Sequence, residues 1–224
     1  MSTDTTLQTD KAKSFNQAYE NQEMYYGWAV REEFDNFFKE MDLKKADVLD
    51  LGAGEGRYSL YVAKKGAHVT AVDFSSAGLT KLKHLAAQDN LHITVRTCDL
   101  KDYTFQPGAY DLIIAATILD HLDPATRRQV TDGIITSLRS GGMLYANVFT
   151  TADPGFTRNR QAGISDTSFG IAHYFEAGEL KSCFGKLKHL HYYEGEEMDC
   201  SHGTPHTHGW ASLIARKKEC CNDT

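Results

Sequence analysis

The residues of this 224-residue chain with the clearest capacity for chemistry gather in one short stretch, Asp47-Val-Leu-Asp-Leu-Gly-Ala-Gly-Glu-Gly-Arg57. Behind an apolar run cut by Asp50, Gly52, Gly54 and Gly56 recur at every second position. Glycine at such a turn lets a ligand lie against the backbone and reaches dihedrals that other residues reach only at a cost. Asp73 stands at the tip of a second strand, where a carboxylate can accept from both hydroxyls of a ribose. Asp99 with Leu100, at the end of a third strand, is placed for an adenine amino group. The glycines read Gly-x-Gly-x-Gly, with Arg57 where a dinucleotide turn carries its third glycine, so the helix is not shaped in the usual way to receive a pyrophosphate. No Gly-x-x-x-x-Gly-Lys-Ser/Thr occurs either. These residues predict a ligand with adenosine and no phosphate. Its contacts are expected at Asp50, Gly52, Ala53, Gly54, Gly56, Asp73, Phe74, Asp99, Leu100, Ala115 and Thr117.

A second group of residues would serve whatever meets that ligand. His121, just beyond the fourth strand, lies on the rim and is the residue type for a general base, or it caps the Asp123 turn. His206 and His208 belong to a polar stretch, Glu194 to Gly209, read as a loop that reaches back over the site, with a solvated connection as its equal alternative. His202, Cys200 and these two histidines have ligand types suited to zinc or copper, but their spacing matches no closed site, and no metal is expected. Tyr25 and Trp28 sit in an aromatic cluster around Gly27 that is either core or a lid excluding water. Arg158 and Arg160 lie in a long segment, Thr150 to Gly170, leaving the carboxyl end of a strand, where open sheets bind ligands.

The elements that must position these residues alternate strand and helix. Residues 1–13 are expected to be a flexible start and 14–45 a helical lid, with Phe34, Phe37, Phe38 and Met41 on one helix face. Residues 46–149 form the ligand-binding core. Its helices begin near Gly56, at Ser75 and at Asp123-Pro124, and end at Gly66 and at Gly141-Gly142. Tyr110 to Thr117 is nearly continuously apolar, as in a central strand covered on both faces. Residues 150–217 supply a substrate loop and two final strands, Leu187–Tyr193 and Trp210–Arg216, and 218–224 a tail. The pattern predicts one α/β domain with a doubly wound, mostly parallel sheet.

Composition narrows the partners. Net charge is −6 and 41% of residues are hydrophobic. This gives no broad attraction to phosphate backbones, and no run approaches the roughly 20 apolar residues of a membrane span. Nucleic acid and membrane are therefore excluded as partners, and a cytoplasmic monomer or homodimer is expected. Five cysteines at irregular spacing predict reduced thiols.

Several segments resemble class I S-adenosylmethionine-dependent methyltransferases: Asp50-Leu-Gly-Ala-Gly-Glu-Gly56, Asp73, Asp99, Tyr110-Asp-Leu-Ile-Ile-Ala-Ala-Thr-Ile-Leu-Asp-His-Leu122 and Leu138-Arg-Ser-Gly-Gly-Met-Leu144. The likeness covers most of the chain. Within the class the sequence is similar to the tellurite-resistance type, through Gly56-Arg57 with Ser59-Leu-Tyr61, Val69–Asp73, Phe175-Glu-Ala-Gly-Glu-Leu180, Glu194-Gly-Glu196 and Leu213–Lys217. Where that type often reads Gly-Glu-Leu-His-Arg, this chain has Gly195-Glu-Glu-Met-Asp199, so a cationic handle for an oxyanion is missing. The resemblance implies a seven-stranded sheet ending in an antiparallel strand pair, with S-adenosylmethionine as cofactor and S-adenosylhomocysteine as product. The implied acceptor is a small molecule, a metalloid or chalcogen species or a thiol. A nicotinamide-dependent oxidoreductase and a non-catalytic metal-binding protein are the rival readings.

Overall fold

The computed structural model describes residues 3–21, 24–157, 170–200 and 204–219, with the backbone course alone given for 3–10 and 21. Seven strands, β1 (Asp47–Leu51), β2 (His68–Asp73), β3 (Ile93–Thr97), β4 (Tyr110–Ala116), β5 (Leu138–Phe149), β6 (Lys188–Asp199) and β7 (His206–Arg216), form one sheet. Their order is β3-β2-β1-β4-β5-β7-β6. The first five pair in parallel, and β7 enters antiparallel between β5 and β6. The chain winds outward from β1 to β3 and then returns to lay β4 beside β1. That reversal opens a crevice at the carboxyl ends of β1 and β4, the switch point where open sheets take ligands.

Helices α1 (Thr3–Asn21), α2 (Glu32–Phe38), α3 (Arg57–Lys64), α4 (Ser76–Gln88), α5 (Pro124–Ser137) and α6 (Glu179–Cys183) cover the sheet. On one face Val130, Ile134, Leu180 and Phe184 pack on Leu49, Ile113 and Leu144. On the other, Phe34, Phe38, Tyr58 and Val62 pack on Val48, Leu112 and Tyr145. Covered on both faces, β4 is apolar without alternation, as its sequence predicts. Ser75 caps α4 by accepting from Gly78 N, and Asp123 caps α5 by accepting from Ala125 N and Thr126 N, with Pro124 in the first turn. Among the described residues no helix is long and apolar enough to cross a membrane.

Three boundaries differ from the sequence expectation. The start is one helix from Thr3 rather than a flexible leader before a lid at residue 14, and α2 is separate from it. Helix α5 stops at Ser137, and Leu138 already pairs with Tyr110; Gly141-Gly142 falls in an irregularity of β5 instead of closing the helix. Glu194 to Gly209 is mostly strand, pairing from Glu194 with Ala211 out to Asp199 with His206. Its charged composition reads as a loop because β6 is an edge strand, and edges are kept polar to prevent stray pairing.

Candidate active site

All three turn glycines adopt positive φ: 70° at Gly52, 52° at Gly54 and 87° at Gly56. Each is also too crowded for a side chain. A Cβ on Gly52 would lie 2.7 Å from Ile118, one on Gly54 2.7 Å from the Tyr19 hydroxyl, and one on Gly56 2.2 Å from Leu82. The turn is pinned to β2 by Gly52 N and Ala53 N, which both donate to Val72 O. Gly54 N donates to Asp73 Oδ2 at 2.8 Å, and Ser75 N to Asp73 Oδ1 at 2.7 Å. Asp73 thus organises the turn as well as facing the crevice. Asp50, buried beside it, accepts from Ser59 Oγ at 2.7 Å. Burial raises both carboxyls, Asp50 to about 7 and Asp73 to about 6, and for Asp50 the neighbouring Asp73 adds to the effect.

Helix α1 and the segment after it close one side of the crevice. The Phe15 ring meets Phe74 edge-on at 5.5 Å and His121 at 5.7 Å. Asn16 Oδ1 accepts from Ser75 Oγ at 2.7 Å and from Ala77 N at 3.2 Å, so a side chain of α1 supports the start of α4. Glu55, only 4% exposed, accepts from Tyr25 N at 2.7 Å and is paired with Lys81 Nζ at 2.6 Å. Lys81 also donates to Tyr19 O. Arg57 Nη1 donates to Tyr26 O at 3.1 Å and to Ala29 O at 3.4 Å, holding that segment down.

The far wall is aromatic and histidine-rich. Phe149 and Trp210 stack at 4.2 Å, and His208 meets them at 4.9 Å and 5.1 Å. His208 Nδ1 lies 2.7 Å from Asp153 Oδ2, both side chains being 3% exposed, and its Nε2 lies 2.8 Å from His206 Nε2. The Trp210 Nε1 donor is buried without a hydrogen-bond partner among the described residues. Arg31 stands over the Trp210 ring at 4.6 Å but is engaged by Glu33 at 2.7 Å and by Glu197. Burial alone would raise the Glu33 carboxyl; Arg31 and the Ser212 hydroxyl hold it below its ordinary range. Turn and far wall border one cavity of about 890 Å³, within the span of roughly 300–1,000 Å³ usual for small-molecule sites.

The residues singled out in the sequence divide. Asp50, Gly52, Ala53, Gly54, Gly56, Asp73, Phe74, Thr117, His121 and His208 line the cavity. Ala115 packs in the core and Ala116 takes its place, because successive strand residues face opposite ways. Leu100 is likewise core, and Asp99 accepts from Lys101 N at 3.0 Å to cap a short turn outside the lining. Trp28 is 53% exposed, and neither it nor Tyr25 lines the cavity; Tyr19 and Tyr26 line it instead. His206 and His208 sit on strand β7, His206 behind His208. Arg158, Arg160 and His202 lie outside the described residues. Missed in the sequence were Glu55, Asp153, Thr117 as a strained residue at φ 47°, and the Lys81 anchor. Glu55, a charged side chain inside an otherwise buried turn, was the one available signal.

Residues 48–142 match the family described as methyltransferase domain. Over this core, and in its fold, the chain is similar to the class I S-adenosylmethionine-dependent methyltransferases. In particular, the structure is similar to that of TehB from Haemophilus influenzae, with a TM-score of 0.70 at 21% identity over 93% of this chain and 67% of that one. It is also similar to the Burkholderia thailandensis 1,6-didemethyltoxoflavin-N1-methyltransferase bound to 1,6-didemethyltoxoflavin and S-adenosylhomocysteine, with a TM-score of 0.72 at 17% identity over 98% and 92% of the two chains. By sequence it is 31% identical over 118 residues to a ubiquinone biosynthesis O-methyltransferase of Coxiella burnetii, matching 53% of this chain and 48% of that protein. The chain spans about half the length of the curated relatives it matches.

Proposed function

We propose that this protein transfers the methyl group of S-adenosylmethionine to a small acceptor through a thiol or related chalcogen atom, releasing S-adenosylhomocysteine. The observation that carries this reading is the single cavity joining the glycine turn and Asp73 to the His208–Trp210 wall. The cofactor's methionine part would lie on Gly52–Gly56 and its ribose on Asp73, whose oxygens each keep a lone pair after bonding Gly54 and Ser75. The acceptor atom then forms its bond to the methyl carbon as the sulfonium carbon–sulfur bond breaks. The acceptor's proton would pass to one of the two cavity-lining histidines, His121 on the α1 side or His208 on the far wall. The protein's part is to hold the two atoms in line and to keep water out.

Two features favour a thiol over an oxyanion. Arg31, the cation at this wall, is neutralised by Glu33 and Glu197, so an anion gains little there. A free thiol, with a pKa of about 8.5, gives up its proton to a base more readily than a phenol of about 10, and far more readily than an alcohol. Incubation with S-adenosylmethionine and a panel of thiols, selenite, tellurite, arsenite, phenols and small amines tests the proposal, with S-adenosylhomocysteine as readout. Turnover is expected with thiols. Turnover only with amines or phenols would replace the acceptor class, and absence of cofactor binding would end the methyl-transfer reading.

A further inference from the structure

We propose that Asp199, His206 and His208 form a binding site for one divalent transition-metal ion of the zinc type at the acceptor end of the cavity. The strand pairing brings them together. Asp199 lies directly opposite His206 in the β6–β7 register, and His208 follows His206 by two residues, so all three share one face of the hairpin. One ligand atom from each lies within 4.8 Å of the others.

Hydrogen bonding decides what the two histidines can do. Asp153 accepts from Gly155 N at 2.7 Å on Oδ1 and from Gly209 N at 3.1 Å on Oδ2, so it faces His208 as a carboxylate and His208 Nδ1 must donate to it. Thr204 O is a carbonyl that only accepts, so His206 Nδ1 donates to it at 2.7 Å. Each neutral imidazole has one donor and one acceptor nitrogen. Both Nε2 atoms are therefore lone pairs, and they face each other 2.8 Å apart. Two lone pairs at that distance need a positive charge between them. A shared proton would supply one unit of charge, and a divalent cation beside the Asp153 and Asp199 carboxylates would supply two.

The arrangement also matches what zinc-type sites require. Nitrogen ligands at about 2.0–2.1 Å from an ion in tetrahedral geometry stand roughly 3.3 Å apart, so the rings need to open by about half an ångström. Each ligating ring is oriented through its other nitrogen, by a carboxylate for His208 and by a backbone carbonyl for His206, the outer-shell pattern of metal-bound histidines. Three protein ligands leave a fourth position, and Asp199 and His208 both line the cavity, so that position faces the acceptor space. With an ion bound, the two Nε2 lone pairs are spent on it, and the proton-accepting role falls to His121 on the α1 side of the cavity. The site stands on its own geometry and does not depend on methyl transfer.

Full-length protein stripped with a chelator and titrated with Zn²⁺ and Co²⁺ tests the site. One equivalent should bind, with visible Co²⁺ absorption bands of a low-coordinate nitrogen and oxygen site. His206→Asn and His208→Asn should each abolish the bands, Asp153→Asn should weaken binding by about 10–100-fold, and His84→Asn, on an exposed face of α4, should change nothing. The melting-temperature rise caused by S-adenosylhomocysteine, measured on His206→Asn, separates loss of the metal site from loss of the fold or of the cofactor site. Absence of stoichiometric binding, or bands that persist in both histidine variants, would overturn the proposal. So would a proton shared by His206 and His208 in the nuclear magnetic resonance spectrum that Co²⁺ does not displace.

Discussion

The Asp73 oxygens take the N–H groups of Gly54 and Ser75, and on the proposed reading they would also accept from the ribose of the cofactor. Replacing Asp73 by alanine removes about two hydrogen bonds to the cofactor and loosens the turn. Asp73→Ala should weaken S-adenosylhomocysteine binding by about 10–100-fold, measured by calorimetry; unchanged affinity would refute the assignment. The carboxyls at 50 and 73 also predict a pH effect. Their pKa values of about 7 and about 6 in the free protein mean that both are partly protonated near pH 6. A cationic sulfonium and ribose hydroxyls favour the ionised forms, so binding S-adenosylmethionine expels protons, and affinity rises with pH through that window. Calorimetry at pH 6 in buffers of different ionisation enthalpy should show proton release; heats independent of buffer would contradict it.

Among the elements, α1 and the segment to Ala29 are held to the site by a few polar anchors. Lys81 is central, bonded to Glu55 in the glycine turn and to Tyr19 O. Lys81→Met would leave Glu55, 4% exposed, as a buried carboxylate without its cation, a change that typically costs about 3–5 kcal/mol. The loss should be local: hydrogen exchange should accelerate in α1 and at Tyr25 while β4 and β5 amides keep their protection. Uniform acceleration through the sheet would show that α1 is part of the folding core. An aromatic cluster was legible from the tyrosines and phenylalanines, but which of its residues line the cavity was not. Tyr19 and Tyr26 line the cavity and Tyr25 and Trp28 do not, a division that no local spacing specifies.

For the whole molecule, the switch point between β1 and β4 and the antiparallel β5-β7-β6 edge meet across one cavity. S-adenosylhomocysteine at about 100 times its Kd should stabilise the fold by about 2.7 kcal/mol, a melting-temperature rise of roughly 5–10 °C for a chain of this size. NAD, which needs a pyrophosphate seat that Arg57 disrupts, should produce none. A comparable rise with NAD would revive the oxidoreductase reading.

The amino-acid sequence by itself determined the elements whose causes are local. The glycines at 52, 54 and 56, the strand-end acid at 73, the caps at Ser75 and Asp123 and the unbroken apolar run of β4 each impose a conformation within a few residues, and they led to the sheet and its glycine turn. Tertiary structure alone decided which side chains face one another across strands. The polar run 194–209 reads as a loop until β7 pairs with β6, and only that register sets Asp199 beside His206 and His208 against Asp153. Residues 153 and 208 are brought together by the sheet, and the close fit of Gly209, where a Cβ would lie 2.3 Å from Asp153 N, permits it. Long-range pairing of this kind follows from burial and strand order, so the glycine turn and Asp73 were readable along the chain, whereas the departure of Asp99, Leu100 and Ala115 from the cavity lining and the meeting of Asp153 with His208 were not.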